Sequence, residues 1–180
     1  MRFSTLAFAA AATMTFASAP ARAALAVGAE APDFTTQASL AGKPFRFTLA
    51  QALKRGPVVL YFFPAAFTSG CTIEANQFAE ATDDFRAAGA TVIGVSADSI
   101  ETLNRFSIEE CRNKFAVASA SPAMIEAYDV KLPQREGLSN RTSYVIAPDG
   151  KVVFVHSAMN PAGHVSGTLE AVKKWRASRK

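Results

Sequence analysis

Residues 57–71 read PVVLYFFPAAFTSGC, and this stretch decides the fold of the chain. Residues 58–63 form a continuous apolar run, which is typical of a strand buried on both faces of a sheet. Pro64 ends the run, because proline cannot donate a hydrogen bond to a neighbouring strand. Residues 68–70 are Thr, Ser and Gly, which commonly lead into a helix. The stretch therefore predicts a strand, a short loop and a helix N-terminus.

Cys71 falls at the start of this predicted helix. The positive end of a helix dipole and the unpaired N–H groups of the first turn favour a thiolate there. A helix N-terminus supplies about 0.3 to 1 kcal/mol, whereas bringing an ordinary thiol to a pKa of about 6 requires roughly 3.4 kcal/mol. We therefore expect a fixed cation beside the sulfur. The alternative is an inert, buried cysteine.

The spacing of Pro64, Thr68 and Cys71 resembles the P-x-x-x-T-x-x-C signature of peroxiredoxins, which are thiol peroxidases with a thioredoxin-like fold. The residues that follow, CTIEA at 71–75, are similar to the bacterioferritin comigratory or Q-type branch, and the resemblance runs from about residue 31 to the C-terminus. It implies that Cys71 is the peroxidatic residue, that Thr68 hydrogen-bonds the peroxide, and that Pro64 shields the thiolate from water. Arg141, just ahead of a predicted strand, matches the active-site arginine of the family.

Several of these assignments have a structural alternative. Arg141 can be a surface arginine in an ion pair, and Arg135 is the nearest competing cation, although no strand follows it directly. Thr68 can be only a helix cap, a role that is compatible with catalysis. Glu74 is interpreted as support for the first helical turn and not as a proton carrier.

Cys71 and Cys111 are the two cysteines of the chain. The resemblance implies that a sulfenic acid on Cys71 condenses with a second thiol to a disulfide. In one pattern of the family the resolving cysteine occupies the position of Asn76, so here Cys111 is the candidate, placed on a predicted helix at residues 99–115. Its alternative role is to pack in the core. We expect the segments around both cysteines to unwind in each cycle, and a thioredoxin-like or other dithiol donor to reduce the disulfide.

Other function classes fit the sequence less well. A one-cysteine peroxidase resolved by an external thiol stays open. A thiol-disulfide exchange protein usually carries C-x-x-C at this helix start, where this chain has Glu74. A secreted domain with one structural disulfide leaves the spacing around Cys71 unexplained. We expect no cofactor or metal, because neither His156 nor His164 has a cysteine or carboxylate cluster at ligand spacing.

The N-terminus predicts export. Arg2 is followed by an apolar run at residues 6–17 and by Ala-Arg-Ala at residues 21–23, which is typical of a secretory signal peptide cleaved after residue 23. The alternative is an uncleaved anchor helix. Cleavage would remove Arg2 and Arg22 and lower the formal net charge from +4 to +2. We therefore expect residues 24–180 to form a peroxiredoxin domain in the bacterial periplasm, without nucleic-acid binding or stable membrane association. The resemblance implies a monomer.

The apolar periodicity predicts an α/β fold with a central mixed sheet flanked by helices, and the resemblance implies the thioredoxin-like version of it. The predicted strands are residues 34–37, 45–48, 58–63, 91–96, 116–119, 144–147 and 151–155. The predicted helices are residues 49–55, 71–88, 99–115, 122–130 and 166–178. The first two strands are expected to form a hairpin around residues 42–44, and the last two a hairpin around residues 148–150. Residues 131–140 are predicted to form a loop.

Overall fold

A computed structural model describes residues 24–179, so the predicted signal peptide lies outside the described residues. In this part of the chain there are seven strands and five helices. The strands are β1 (Thr35–Leu40), β2 (Lys43–Thr48), β3 (Val58–Phe62), β4 (Thr91–Ser96), β5 (Ala116–Ser119), β6 (Thr142–Ile146) and β7 (Val152–Ser157). The helices are α1 (Leu49–Leu53), α2 (Ser69–Ala87), α3 (Ile100–Glu109), α4 (Pro122–Ala127) and α5 (His164–Ala177).

The strands form one mixed sheet in the order β2-β1-β5-β4-β3-β6-β7. Strand β3 pairs in parallel with β4 and antiparallel with β6, and β4 pairs in parallel with β5. The remaining pairs, including the terminal hairpin of β6 and β7, are antiparallel. This arrangement confirms the predicted α/β fold with a central mixed sheet.

Strand β3 lies between two hydrophobic core clusters, one on each face of the sheet. Leu60 and Phe62 point into the cluster that includes residues of α1 and α4. Tyr61 and Phe63 point into the opposite cluster, which includes residues of α2, α3 and α5. Each residue of β3 is buried, as expected for a central strand covered on both faces. The end of β3 therefore delivers the chain to the α2 side of the sheet.

The first hairpin turns earlier than predicted. Ala41 and Gly42 have φ angles of 52° and 74°, which is the two-residue turn that matches the twist of antiparallel strands. Lys43 and Pro44, which the sequence analysis placed in the turn, therefore belong to β2. Pro44 is tolerated there because β2 is an edge strand.

The buried face of α2 carries an acidic residue. Glu74 is buried on the same side of the helix as Cys71 and Phe78, whereas the apolar Ile73 is 49% exposed. The spacing of three and four residues between Cys71, Glu74 and Phe78 defines one helical stripe. A carboxyl group therefore enters the core beside Cys71.

None of the helices in residues 24–179 combines the length and apolar character needed to cross a membrane.

Candidate active site

Cys71 lies in the first turn of α2, as predicted, with Thr68 at the N-cap position. Its side chain is buried. The loop before α2 is anchored by a hydrogen bond to Asp98, since the Ala66 N–H donates to Asp98 Oδ2 at 2.8 Å. Phe67 adopts a left-handed backbone with φ 62°, and its ring packs edge-on against Phe106 with a centroid distance of 5.2 Å. These contacts fix the path from β3 to the cysteine.

Arg141 precedes β6 and brings its guanidinium to the sulfur. Its Nη2 atom lies 3.4 Å from Cys71 Sγ, and its Nε–H donates to the Met159 carbonyl at 3.0 Å. Its Nη1 atom donates to Glu74 Oε2. Burial opposes the charge, but Glu74 and Cys71 outweigh it and raise the pKa of Arg141 above its ordinary value. The site therefore holds a permanent cation that is fixed from three directions.

The guanidinium beside Cys71 belongs to Arg141, while the competing Arg135 is exposed in the loop before β6. Close approach of Arg141 depends on Gly70, because a Cβ atom at that position would meet Arg141 Nη2 at 3.0 Å. Glycine thus leaves room for the cation over the first turn of α2.

Thr68 and Pro64 lie in the loop as the spacing predicted. The Thr68 hydroxyl donates to the Ala65 carbonyl at 2.9 Å, and its side chain makes no capping hydrogen bond to α2. Thr68 therefore occupies the N-cap position of α2 without the side-chain hydrogen bond of a cap. Pro64 is partly buried and follows Phe63, whose carbonyl accepts a hydrogen bond from Ser139 Oγ at 3.0 Å.

Glu74 and His164 belong to the same buried cluster, a role that the sequence predicts for neither residue. Burial outweighs the opposing effect of Arg141 and raises the pKa of Glu74 to about 7. His164 Nδ1 lies 3.5 Å from Glu74 Oε1, and both side chains are 0% exposed. The signal for Glu74 was its position three residues after Cys71 on one helical face. His164 gives no local signal, because only the fold brings α5 against α2.

His164 is neutral at physiological pH. Its Nε2–H donates to the Ala158 carbonyl at 2.9 Å, so Nδ1 accepts from Ser143 Oγ at 2.8 Å. Burial lowers the pKa of His164 to about 4. Arg141 is therefore the cation next to Glu74.

Cys111 lies outside α3, so the prediction that placed it on a helix is wrong. The helix ends at Glu109, because Arg112 and Asn113 adopt left-handed conformations with φ angles of 50° and 58°, which no helix continues. Cys111 is nevertheless 0% exposed, and burial raises the pKa of its thiol well above the ordinary value. Both cysteines are free thiols.

The Arg86 guanidinium on α2 donates to the Lys114 carbonyl at 2.7 Å, and three contacts between pairs of side chains also tie the segment at residues 110–114, which contains Cys111, to helix α2. They are Asn76 Nδ2 to Glu110 Oε2 at 3.1 Å, Arg112 to Glu80 at 3.2 Å, and Lys114 to Asp83 at 3.3 Å. The two ion pairs are exposed, whereas the Asn76 contact is partly buried. The helix that carries one cysteine therefore also holds the segment that carries the other.

Comparisons with known proteins agree with this geometry. The AhpC/TSA family model matches residues 27–155. Peroxiredoxin Bcp of Xanthomonas campestris is 31% identical over 121 residues, which are 64% of this chain and 76% of that protein. The chloroplastic Peroxiredoxin Q of Sedum lineare is 30% identical over 151 residues, covering 83% of this chain and 78% of that protein.

Solved structures show the same fold. The crystal structure of Peroxidoxin BcpB from Mycobacterium tuberculosis has a TM-score of 0.71 and 32% identity, covering 82% of this chain and 96% of that chain. Mycobacterium tuberculosis AhpC has a TM-score of 0.75 at 20% identity, covering 86% of this chain and 95% of that chain, which supports the fold alone. The family resemblance read from the sequence is thereby confirmed, and the chain belongs to the AhpC/TSA family as a peroxiredoxin, a thiol peroxidase with the thioredoxin-like fold.

Proposed function

We propose that Cys71 is the peroxidatic residue of this peroxiredoxin and reduces hydrogen peroxide and organic hydroperoxides. Its thiolate attacks one peroxide oxygen, the O–O bond breaks, and the other oxygen leaves as hydroxide or alkoxide and takes up a proton. The sulfur becomes a sulfenic acid. The observation that carries this proposal is the distance of 3.4 Å between Arg141 Nη2 and Cys71 Sγ at the N-terminus of α2.

Arg141 and Thr68 position the peroxide. The guanidinium offers several donors in one plane, and Met159 and Glu74 hold it so that Nη2 faces the sulfur. The Thr68 hydroxyl already donates to the Ala65 carbonyl, so its oxygen accepts the hydrogen of the peroxide.

Pro64 and the backbone of the first helical turn complete the site. Pro64 stands at the exit of β3 and shields the thiolate from water. The backbone N–H groups near Gly70 and Cys71 stabilise the leaving oxygen, on which negative charge develops only in the transition state.

Cys111 resolves the Cys71 sulfenic acid as an intramolecular disulfide. Two observations support this assignment: both cysteines belong to the core cluster on one face of the sheet, and Cys111 lies in a non-helical segment. Because the Cys111 thiol is buried and its pKa is raised, it has to become exposed before it reacts. The first turn of α2 and the segment at residues 110–114 therefore unwind in each cycle.

A thioredoxin-like or other dithiol donor reduces the disulfide, and the protein acts as a monomer in the bacterial periplasm after loss of residues 1–23. The composition of that N-terminal stretch supports export. Edman sequencing of the protein recovered from the periplasm would show Ala24 as the first residue, and an intact Met1 would contradict the cleavage site.

The peroxidase cycle is tested by adding one equivalent of hydrogen peroxide to the reduced protein and measuring the intact mass. A loss of a pair of hydrogens, with a tryptic peptide that links Cys71 to Cys111, supports the complete proposal. Oxygen added to Cys71 without a crosslink assigns resolution to an external thiol. No change at either cysteine contradicts the role of Cys71.

Two variants separate the roles. Cys71→Ser is expected to consume no peroxide, whereas Cys111→Ser is expected to stop at the sulfenic acid, which a dimedone label detects. Disulfide formation within the Cys111→Ser protein would be impossible, so a wild-type rate of turnover with a monothiol donor would show that Cys111 is dispensable.

A further inference from the structure

A buried carboxylate stands behind the active-site cation and is only half satisfied. Glu74 Oε2 accepts from Arg141, whereas Oε1 has no hydrogen-bond partner among the described residues. Oε1 faces His164 Nδ1 at 3.5 Å. A carboxylate oxygen and an unprotonated imidazole nitrogen are both acceptors, so their proximity is unfavourable unless one of them carries a proton.

The proton belongs on Glu74. His164 donates from Nε2 to the Ala158 carbonyl, which leaves Nδ1 as the acceptor. Burial and Arg141 both keep the His164 ring neutral. Nδ1 already accepts from Ser143 Oγ at 2.8 Å, so Glu74 Oε1 faces an occupied lone pair and has no donor of its own. A negative charge on Oε1 is therefore costly, and a proton on Glu74 removes that charge.

The charge of the cluster formed by Cys71, Glu74 and Arg141 also favours a proton on Glu74. Arg141 is the fixed cation, and it contacts two groups that can be anionic, Cys71 and Glu74. A thiolate and a carboxylate together would leave a net negative charge in the core, which is strongly unfavourable. Among the other titratable groups around Glu74, Tyr61 on β3 and Cys111 are neutral or anionic and cannot supply a second cation, and burial raises their pKa values. His156, on β7, packs edge-on against the neutral His164 ring.

We propose that Glu74 takes up the proton that Cys71 gives up, so that the buried site holds one anion at a time beside Arg141. The net step converts the Cys71 thiol and the Glu74 carboxylate into a thiolate and a carboxylic acid, and no proton enters or leaves the site. Glu74 is then a positioning residue that acts through Arg141. The proposal rests on the role of Cys71 described above.

The proton balance of the peroxide reaction follows from this exchange. The thiolate attacks, the O–O bond breaks, and the leaving oxygen needs one proton to become water or an alcohol. The proton held on Glu74 supplies it in the net reaction, which ends with a neutral sulfenic acid and a Glu74 carboxylate paired with Arg141. The raised pKa of Glu74, about 7, places this exchange near neutral pH.

The test counts protons while Cys71 is alkylated. Reduced Cys111→Ser protein is brought, in weak buffer, to the lowest pH at which the ultraviolet absorbance shows that Cys71 is fully converted to the thiolate. Iodoacetamide is then added, and an indicator dye reports the protons released. Alkylation replaces the thiolate by a neutral thioether, so Glu74 ionises. We expect one proton released for each Cys71 alkylated, although the thiol itself has already lost its proton.

Glu74→Gln assigns the proton. This variant keeps the shape and an amide oxygen for Arg141, but it cannot titrate, so its thiolate is expected to be alkylated without proton release. Glu170→Gln, on the exposed face of α5, is the matched control and is expected to behave like wild type. Wild-type thiolate that releases no proton overturns the proposal, and so does a Glu74→Gln protein that releases as many as wild type.

The measurement on the Cys111→Ser protein that keeps Glu74 tests the proton exchange even if the Glu74→Gln variant does not fold. Alkylation requires no peroxidase activity, so a failure here is distinguishable from failure of Cys71 to react with peroxide.

Discussion

Gly70 controls how closely the active-site cation approaches the cysteine. A Cβ atom there would meet Arg141 Nη2 at 3.0 Å, and the same nitrogen contacts Cys71 Sγ. Gly70→Ala is therefore expected to displace the guanidinium and slow oxidation of Cys71 about tenfold or more. The measurement is the second-order rate constant with hydrogen peroxide, obtained by stopped flow.

The same substitution should leave the fold intact, since alanine is a better helix former than glycine. Ser69→Ala, at the exposed preceding position, is the matched control and is expected to keep the wild-type rate. A Gly70→Ala protein that reacts with hydrogen peroxide at the wild-type rate would show that oxidation of Cys71 tolerates displacement of Arg141 from the first turn of α2.

The buried acid and base have opposite effects on stability as the pH changes. His164 has a pKa lowered from 6.5 to about 4, so its contribution is present above pH 6.5 and is lost as the pH falls through about 4. Glu74 has a pKa raised from 4.5 to about 7, so its contribution is present below pH 4.5 and is lost as the pH rises through about 7. Between these limits the two effects oppose each other in the wild-type protein.

Glu74→Gln removes one of these effects and should expose the other. Between about pH 7 and 4.5, the window set by the raised pKa of Glu74, the free energy of unfolding of the variant is expected to fall more steeply with decreasing pH than that of wild type, by up to about 1.4 kcal/mol per pH unit. Urea unfolding at a series of pH values measures this slope. Parallel slopes for the two proteins would contradict the raised pKa of Glu74.

At the scale of single residues, the sequence spacing predicted the residues near the Cys71 sulfur but not the buried pair Glu74 and His164. Pro64, Thr68 and Cys71 lie within one short stretch, and Arg141 precedes a strand that pairs with β3. His164 is distant in sequence and reaches the site only through packing of α5 on α2. No local pattern indicates such a contact.

At the scale of the elements, the strands were more predictable than the helix ends. Strands β4 and β5 have the predicted bounds, because short runs of mainly apolar residues mark them. Helix α3 ends earlier than predicted, since Arg112 and Asn113 adopt left-handed conformations that their side chains do not require. The same segment contacts α2 through side chains far apart in sequence, and the sequence does not display these contacts.

Glu110 holds the Cys111 segment closed. Its carboxylate accepts from Asn76 on α2, and it also raises the pKa of Cys111. Glu110→Ala is expected to accelerate formation of the Cys71–Cys111 disulfide about two- to tenfold, because loss of one hydrogen bond favours opening of the segment. Rapid acid quenching and mass spectrometry after a pulse of peroxide measure the rate.

The neighbouring residue offers a control for this prediction. Glu109 is exposed and pairs with Arg105 within α3, so Glu109→Ala removes the same charge without the contact to α2. A similar acceleration by both substitutions would indicate a general charge effect and would contradict the role of the Asn76 contact.

For the molecule as a whole, the sequence predicted a mixed sheet between helical layers but not the order of its strands. The alternation of strands and helices indicates the class of fold. The position of β1 beside β5, and of β6 beside β3, depends on contacts between distant parts of the chain. Packing on both faces of β3 is the feature that these long-range contacts have in common.

Tyr61, in the middle of β3, tests whether the polar groups buried in this core have hydrogen-bond partners. Its ring stacks on Phe78 with a centroid distance of 4.3 Å, but its buried hydroxyl has no hydrogen-bond partner among the described residues. Tyr61→Phe is therefore expected to raise the free energy of unfolding by about 1 kcal/mol. Guanidinium chloride unfolding measures the change.

Tyr144 on β6 provides the opposite case. Its hydroxyl donates to the Tyr128 carbonyl at 2.8 Å and accepts from the Leu25 N–H at 3.1 Å. Tyr144→Phe is expected to lower the free energy of unfolding by about 1 kcal/mol or more. Equal effects of the two substitutions would show that hydroxyl satisfaction does not distinguish these sites.

The two ion pairs that tie the Cys111 segment to α2 are exposed, and this makes the protein sensitive to its surroundings. Arg112 with Glu80 and Lys114 with Asp83 are open to solvent, so dissolved ions screen them over a distance of about 10 Å at 0.1 M ionic strength. Disulfide closure should therefore quicken as salinity rises, while attack of the buried Cys71 on a neutral peroxide should change little. Regeneration of this peroxidase would then depend on the ionic strength of the solution around it.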